Sequence, residues 1–302
     1  MGKTKAWVQA ARLRTLPLSL SGILVGTAMA TMQGLFKLDI LLFALLTTVG
    51  FQITSNFAND YGDGVKGTDN EDRVGPARAL QSGLLTKSEL KRGIVLSVII
   101  SMVLAIVLIY LAFGTDNLPF VLLFFLLGGL SIWAALKYTM GSSPYGYKGL
   151  GDLFVFLFFG LLGVLGSMFL YTKALDWVSV LPAMGIGLLC VGVLNLNNLR
   201  DIVSDKKHGK ITLVVKMGFE NGKYYHFLLI LMAFLAFLFY IWLKNFSWQQ
   251  SFFMLAFLPL IMHLTKVIKT EGPRELDSEL KKVALSTFML AILFFTSVNI
   301  FL

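Results

Sequence analysis

Long apolar runs separated by short polar segments fill almost the whole chain. Each run is about 20 residues, the length of helix that crosses ~30 Å of hydrocarbon. Nine spans follow from this pattern, at roughly 16–34, 38–58, 92–113, 118–138, 150–171, 177–197, 225–243, 250–268 and 282–302. The alternation of apolar and polar residues that marks a membrane β-barrel is absent. Ahead of the first span, residues 3–15 mix Lys3, Lys5, Arg12 and Arg14 with Trp7, Val8 and Leu13, the pattern of an amphipathic helix lying at the interface. The expected fold class is therefore an all-α polytopic membrane protein.

Composition strengthens this reading. The 302 residues are 56% hydrophobic and 14% charged, with a mean hydropathy of +0.76, more apolar surface than a water-soluble domain can bury. The net charge of +9 would suggest nucleic acid in a soluble protein. Here it is a matter of orientation, because 23 of the 26 basic residues fall on one side of the spans and only Lys37, Lys173 and Lys244 on the other. The positive-inside rule then puts the N-terminus in the cytoplasm. The expected partners are the lipid bilayer and no nucleic acid, and the expected setting is a bacterial cytoplasmic (inner) membrane. No obligate protein partner is evident. Cys190, the single cysteine, lies in an apolar run and reads as a small hydrophobe. No cleavable signal peptide is expected. Gly22-x-x-x-Gly26 and Gly160-x-x-Gly163-x-x-Gly166 predict close helix packing. The phenylalanines are expected to face lipid by default, with a minority lining an interior channel. His208, His226 and His263 are scattered and form no metal set.

Two connections on the basic side are long, about 60–91 and 198–224, and each is expected to carry a short helix capping the bundle. Each opens on an acidic and amide cluster. The first holds Asn56, Asn59, Asp60 and Asp63, in which residues four apart share a face if the helix continues that far. The second holds Asn197, Asn198, Asp201 and Asp205, with Asn197, Asp201 and Asp205 stacked at spacings of four. Each cluster alone could be a solvated helix cap. Their recurrence four spans apart predicts two pseudo-repeated halves, roughly 16–138 and 150–302, in a single 1–302 domain facing a central cavity. Two unit charges ~4 Å apart at an effective dielectric of 20 cost ~4 kcal/mol, which a divalent cation removes. Oxygen-only ligands select a hard ion such as Mg²⁺, with Asn56, Asn59, Asp60, Asp63, Asn197, Asp201 and Asp205 as its candidate set. Lys66, Arg73, Arg78, Arg200 and Lys210 stand beside the clusters and suit a diphosphate head group. The implied substrate keeps a polar head at the cytoplasmic face and a tail in the membrane.

The chain resembles the UbiA superfamily of intramembrane aromatic prenyltransferases over nearly its whole length. The residues that carry this are Asn56-x-x-Asn59-Asp60-Tyr61-x-Asp63-x-x-Lys66-Gly67-x-Asp69, then Gly75-Pro76-x-Arg78-x-x-x-Ser82-Gly83 and Tyr145-x-Tyr147-x-Gly149-x-Gly151-Asp152. Asn197-Asn198-x-Arg200-Asp201-x-x-x-Asp205-x-x-x-Gly209-Lys210-x-Thr212-Leu213 and the N-terminal Arg12-x-Arg14-Thr15-Leu16-Pro17 complete it. Many members place another Asp four residues after the first acidic pair, where this chain has Gly67, with Asp69 as the nearest substitute.

The resemblance implies a Mg²⁺-dependent enzyme that moves an all-trans polyprenyl group from its diphosphate to an aromatic acceptor. In the branch this chain is most like, the acceptor is 1,4-dihydroxy-2-naphthoate and CO₂ leaves. Asp60, Asp63, Asp201 and Asp205 would be the catalytic carboxylates, and Lys66, Arg78, Arg200 and Lys210 would bind diphosphate. Arg14, Tyr145, Tyr147, Lys148 and Asn198 are the expected acceptor contacts, with Arg14 and Lys148 as partners for its carboxylate and Tyr145 or Tyr147 facing the site. The acceptor alternatives are 4-hydroxybenzoate and homogentisate. A CDP-alcohol phosphotransferase is disfavoured because Asp63-Gly64-Val65-Lys66-Gly67-Thr68 breaks the required pattern. An ion-coupled transporter would place its charges mid-span rather than at helix ends.

Overall fold

The computed structural model describes residues 2–68, 75 and 78–301. Nine helical segments among them are long and apolar enough to cross a membrane, and the chain is a multi-pass integral membrane protein. In chain order the helices are α1 (Lys3–Ala11), α2 (Leu16–Thr31), α3 (Leu38–Lys66), α4 (Lys87–Phe113) and α5 (Leu118–Lys137). Next is α6 (Gly151–Thr172), whose middle, Phe156–Gly166, is wound as a π-helix. Then come α7 (Val180–Arg200), α8 (Ile202–Lys207), α9 (Leu213–Met217), α10 (Phe219–Lys244), α11 (Leu258–Lys269) and α12 (Asp277–Ile300). A 3₁₀ stretch, Gln250–Phe257, leads into α11.

The amphipathic N-terminal segment forms α1, and Ala6, Ala10 and Ala11 are its buried side. Arg12, at φ 49°, turns the chain from α1 towards α2. Several spans begin a turn or more before the apolar run does. α4 starts at Lys87, where Thr86 and Glu89 cap each other reciprocally. α10 and α12 likewise start on charged turns, at Glu220 and at Asp277 with Glu279. A hydropathy window discards such turns although their backbone is helical. α8 and α9 lie in the second long connection, as expected. The first connection has turns and no helix among its described residues between Gly67 and Lys87.

The bundle closes by packing α2 against α12, so the first and last full spans are neighbours. The glycine stripes serve close approach. A Cβ at Gly26 would stand 2.2 Å from the carbonyl oxygen of Val164, and one at Gly160 would stand 2.5 Å from the Cα of Gly187.

One sequence expectation is filled in and one corrected. A minority of the phenylalanines pack inside the bundle. Phe237, Phe253, Phe257 and Phe294 are buried in one core, where Phe253 meets Phe294 with ring centroids 4.9 Å apart. The lipid-facing belt is largely aliphatic, with Leu96, Leu122, Leu126 and Ile261 exposed. Two of the three histidines are not scattered. His226 and His263 meet through their Nε2 atoms at 2.8 Å, and Nδ1 of His263 lies 2.8 Å from the Glu279 carboxylate. This chain of contacts is fully buried and braces α10, α11 and α12. It surrounds no metal pocket, and no set of three His, Cys, Asp or Glu groups among the described residues encloses an ion.

Candidate active site

The first acidic cluster sits on the last turns of α3, which does continue through it. Gly67 ends the helix at φ +74°, a conformation that suits glycine, and the Thr68 amide donates to the Asp63 carbonyl. Asp60 is buried and heavily neutralised. Arg12 donates to its Oδ1 at 2.8 Å, Arg78 approaches the same oxygen at 3.2 Å, and the Ala79 amide reaches Oδ2 at 3.3 Å. Asp63, one turn on, accepts from the Tyr147 hydroxyl at 2.8 Å. The amides do more scaffolding. Asn56 donates to the Ala11 carbonyl at 2.8 Å and to the Thr15 hydroxyl, fastening α3 to the α1–α2 corner. The Asn59 side-chain oxygen accepts from Thr139 at 3.3 Å. Lys66 donates to the carbonyls of Thr139 and Gly141 just beyond α5, and its ammonium stands 5.5 Å from the Tyr147 ring centre.

The second cluster straddles a break. α7 ends at Arg200, Asp201 sits at φ −96°, ψ 7°, and α8 follows. The backbone still bonds from the Asp201 amide to the Asn197 carbonyl and from the Asp205 amide to the Asp201 carbonyl. The expected alignment of Asn197, Asp201 and Asp205 therefore survives the break. Arg200 grips Asp201 with two bonds, from Nε at 2.8 Å and Nη2 at 2.6 Å. It also donates to the Asn197 side-chain oxygen at 2.8 Å and to Asp277 at 2.7 Å. Lys210, buried, stands 3.6 Å from Asp205.

The two clusters meet. Asp63, Thr68, Arg78, Asn197, Asp201, Ser204, Asp205 and Lys210 line one polar cleft. Burial pushes the Asp205 carboxyl up to about 6, with Lys210 opposing and the Asp201 and Asp63 charges adding to the rise. Burial disfavours the Lys210 ammonium, but Asp63 and Asp205 outweigh it and hold its pKa above the ordinary value. Burial, with Asp63 adding, raises the Tyr147 phenol, which therefore stays a donor. These couplings join residues from opposite ends of the sequence into one electrostatic unit. Asp205 Oδ2 is buried and has no hydrogen-bond partner, an acceptor vacancy inside an anionic cleft. The candidate donors are oxygens throughout, which fits Mg²⁺, an ion that takes one or two carboxylates and completes its shell with water and phosphate.

Not every sequence candidate reaches this cleft. Arg14 and Lys148 are exposed and do not line it. Tyr145 donates to the Ala134 carbonyl at 2.9 Å and stacks on Phe154 at 3.9 Å, so Tyr147 is the tyrosine that faces the acids. Asn198 is buried with an unpartnered Oδ1. Asp69, Arg73 and Pro76 lie outside the described residues. Sequence reasoning did not single out Thr68, Ser204 or the Arg12 contact with Asp60. In the sequence Arg12 stands out as a basic residue of the amphipathic segment and as part of the Arg12-x-Arg14 motif, with nothing to tie it to Asp60.

The sequence profile of the UbiA prenyltransferase family matches residues 19–298. The chain belongs to the UbiA prenyltransferase family. It is 44% identical over 295 residues to the 1,4-dihydroxy-2-naphthoate octaprenyltransferase of Haemophilus influenzae, covering 97% of this chain and 95% of that protein. It is 47% identical over 231 residues to the 1,4-dihydroxy-2-naphthoate octaprenyltransferase of Escherichia coli, covering 76% of this chain and 74% of that protein. Among solved structures, the apo UbiA homolog from Aeropyrum pernix shares the fold at a TM-score of 0.70 and 17% identity, over 96% of this chain and 98% of that one. The UbiA homolog from Archaeoglobus fulgidus bound to DMAPP and Mg²⁺ shares it at 0.64 and 15% identity, over 95% and 99%. The UbiA resemblance read from the motifs is thus borne out, together with the nine-helix architecture.

Proposed function

We propose that this UbiA-family chain transfers an all-trans polyprenyl group from its diphosphate to 1,4-dihydroxy-2-naphthoate, with loss of CO₂, giving demethylmenaquinol. The observation that carries the reading is the single cleft made by two acidic helix ends, with basic side chains in its wall. The naphthoate acceptor is supported by the two bacterial relatives and their extensive identity.

Asp63, Asp201, Asp205 and Asn197 would hold Mg²⁺, with Asp60, Asn56 and Asn59 supporting them from the α3 side. When bound, Mg²⁺ would neutralise the diphosphate and draw charge from its bridging oxygen. Lys210 and Arg78 supply fixed positive charge where the leaving group gains negative charge. Lys66 stands at the outer edge, and Arg200 acts through Asp201. The prenyl C1–O bond breaks with both electrons going to diphosphate. A ring electron pair forms the new C–C bond to that carbon, and the electrons of the carboxylate's bond return to the ring as CO₂ departs. Tyr147 keeps its proton and holds Asp63 in place. Of the expected acceptor contacts, Asn198 is retained, being buried with an unpartnered Oδ1, whereas Arg14 and Lys148 do not line the cleft and Tyr145 is engaged with Ala134 and Phe154. The two acidic helix ends are read as equivalent parts of two repeated halves, and the cleft as opening to the cytoplasm of a bacterium by the 23-to-3 basic asymmetry.

The test offers purified protein a polyprenyl diphosphate and Mg²⁺ with dihydroxynaphthoate, 4-hydroxybenzoate and homogentisate in parallel. The expected product is prenylated naphthoquinol, with CO₂ released. Product from another acceptor instead would reassign the substrate. No product from any of the three, with solute uptake into liposomes, would favour a transporter.

A further inference from the structure

Arg200 is nearly fully buried, its side chain only 4% exposed, and each of its three guanidinium nitrogens has an acceptor. Two of them grip Asp201 and one of those two also grips Asn197, both of which line the cleft. The third, Nη1, donates to Asp277 at 2.7 Å, 77 residues away and outside the cleft lining. We propose that Asp277 is a positioning residue that holds the Arg200 fork and thereby sets Asp201 and Asn197 for cation and diphosphate binding. This rests on the reading of the cleft as a diphosphate site.

Asp201 sits where α7 gives way to α8; the backbone bonds carry its Cα across the break, and the orientation of its carboxylate is held by the Arg200 fork. A guanidinium pairs with a carboxylate in a planar fork, and a third anchor on the far nitrogen fixes the plane of that fork. Asp277 is delivered from a firm base. It opens α12, and two residues on the fully buried Glu279 meets His263 at 2.8 Å, Lys266 at 2.9 Å and Lys282 at 2.8 Å. The first turn of α12 is thus pinned to α11, and Asp277 projects from it towards the end of α7. Charge balance points the same way. Arg200 beside Asp201 alone is a neutral pair with little attraction for a cation. With Asp277 the three groups carry one net negative charge, and Asp201 keeps more of its own for a metal ion. The buried histidine–glutamate contacts that the proposed reaction does not use then acquire a purpose, as the footing for this strut.

The test measures binding of geranyl diphosphate as a function of Mg²⁺ by calorimetry, alongside turnover and thermal melting in detergent. Asp277→Asn should raise the Mg²⁺ concentration for half-maximal binding about tenfold, the lower end of what loss of a partner behind a metal ligand costs. At saturating Mg²⁺ its kcat should remain within about threefold of wild type, and its melting temperature should be unchanged. Asp277→Glu should restore most of the Mg²⁺ response. Arg200→Lys should show the same defect, and adding Asp277→Asn to it should cost nothing further. A wild-type Mg²⁺ response in Asp277→Asn would overturn the proposal, as would a lowered melting temperature with that response intact. Multiplying defects in the double variant would also overturn it. Wild-type protein that binds geranyl diphosphate but prenylates no naphthoate overturns only the acceptor assignment. Wild-type protein that binds no geranyl diphosphate with Mg²⁺ overturns both readings.

Discussion

Arg12 donates to Asp60 over 2.8 Å, which ties the corner between the first two helices to the acidic end of α3. Asp60 is 1% exposed, so its charge depends on partners for solvation. Arg12 also sits at φ 49°, a backbone conformation that a non-glycine residue adopts at a cost. Two variants separate these effects. Arg12→Ala removes the partner and keeps the strain, whereas Arg12→Gly removes both. Both should lower turnover by at least about tenfold, since a charge-assisted bond is worth roughly 1.5–3 kcal/mol. Arg12→Gly should melt higher than Arg12→Ala in detergent. Equal melting temperatures would mean the left-handed turn stores no strain.

Tyr147 joins three parts of the site. Its hydroxyl is 2.8 Å from Asp63 and 2.6 Å from the Thr68 hydroxyl, and the Lys66 and Lys210 ammonium groups stand 5.5 and 5.8 Å from its ring centre. Tyr147→Phe deletes the hydroxyl and keeps the ring, at a cost near 1 kcal/mol, or about fivefold in turnover. Tyr147→Ala also removes the ring that both ammonium groups approach and should cost at least ten times more. Steady-state kinetics on the pair decide the matter, and equal losses would show that the ring contributes nothing.

The order and number of spans were legible in the sequence because hydropathy is a local property that each helix carries by itself. The partnership of the Asn56–Asp63 and Asn197–Asp205 segments was legible too, since both stand at helix ends on the basic side. Contacts between distant side chains were not. Arg12 with Asp60, Arg200 with Asp277, and His226 with His263 and Glu279 depend on the rotation and depth of one helix against another. Periodicity does not encode those quantities. Which phenylalanines turn inward was hidden for the same reason: an apolar residue in a membrane span satisfies the same pattern facing lipid or facing another helix.

The α2–α6 contact sets a limit on side-chain size. At Gly26 a Cβ would stand 2.2 Å from the Val164 carbonyl oxygen and 2.7 Å from the Ser167 Cβ, so the two helices must part to admit it. Gly26→Ala should destabilise the protein by about 1–3 kcal/mol, the usual cost of overpacking. Gly128 on α5 has nothing within 4 Å of the same position, and Gly128→Ala should be nearly neutral. Thermal melts in one detergent compare the two directly. Matching melting temperatures would refute the close approach.

The carboxylates of the cleft carry the heaviest expectation. Asp63 and Asp205 come from opposite halves of the chain and line the same space, and the buried Oδ2 of Asp205 has no hydrogen-bond partner there. Asp63→Asn, Asp201→Asn and Asp205→Asn keep the shape of each side chain and remove its charge. Each should lower turnover by at least about a hundredfold, on the scale of losing one electrostatic group from a preorganised site. Asp205→Asn also takes the carboxylate from beside the buried Lys210, so it should lower the melting temperature as well as turnover. Lys37, exposed on the opposite side of the spans, provides the control, and Lys37→Ala should leave turnover and melting unchanged. Prenyl transfer measured for the four proteins at saturating Mg²⁺ supplies the answer. If any two of the three carboxylate variants stay within a few-fold of wild type, the cleft is not the seat of diphosphate chemistry.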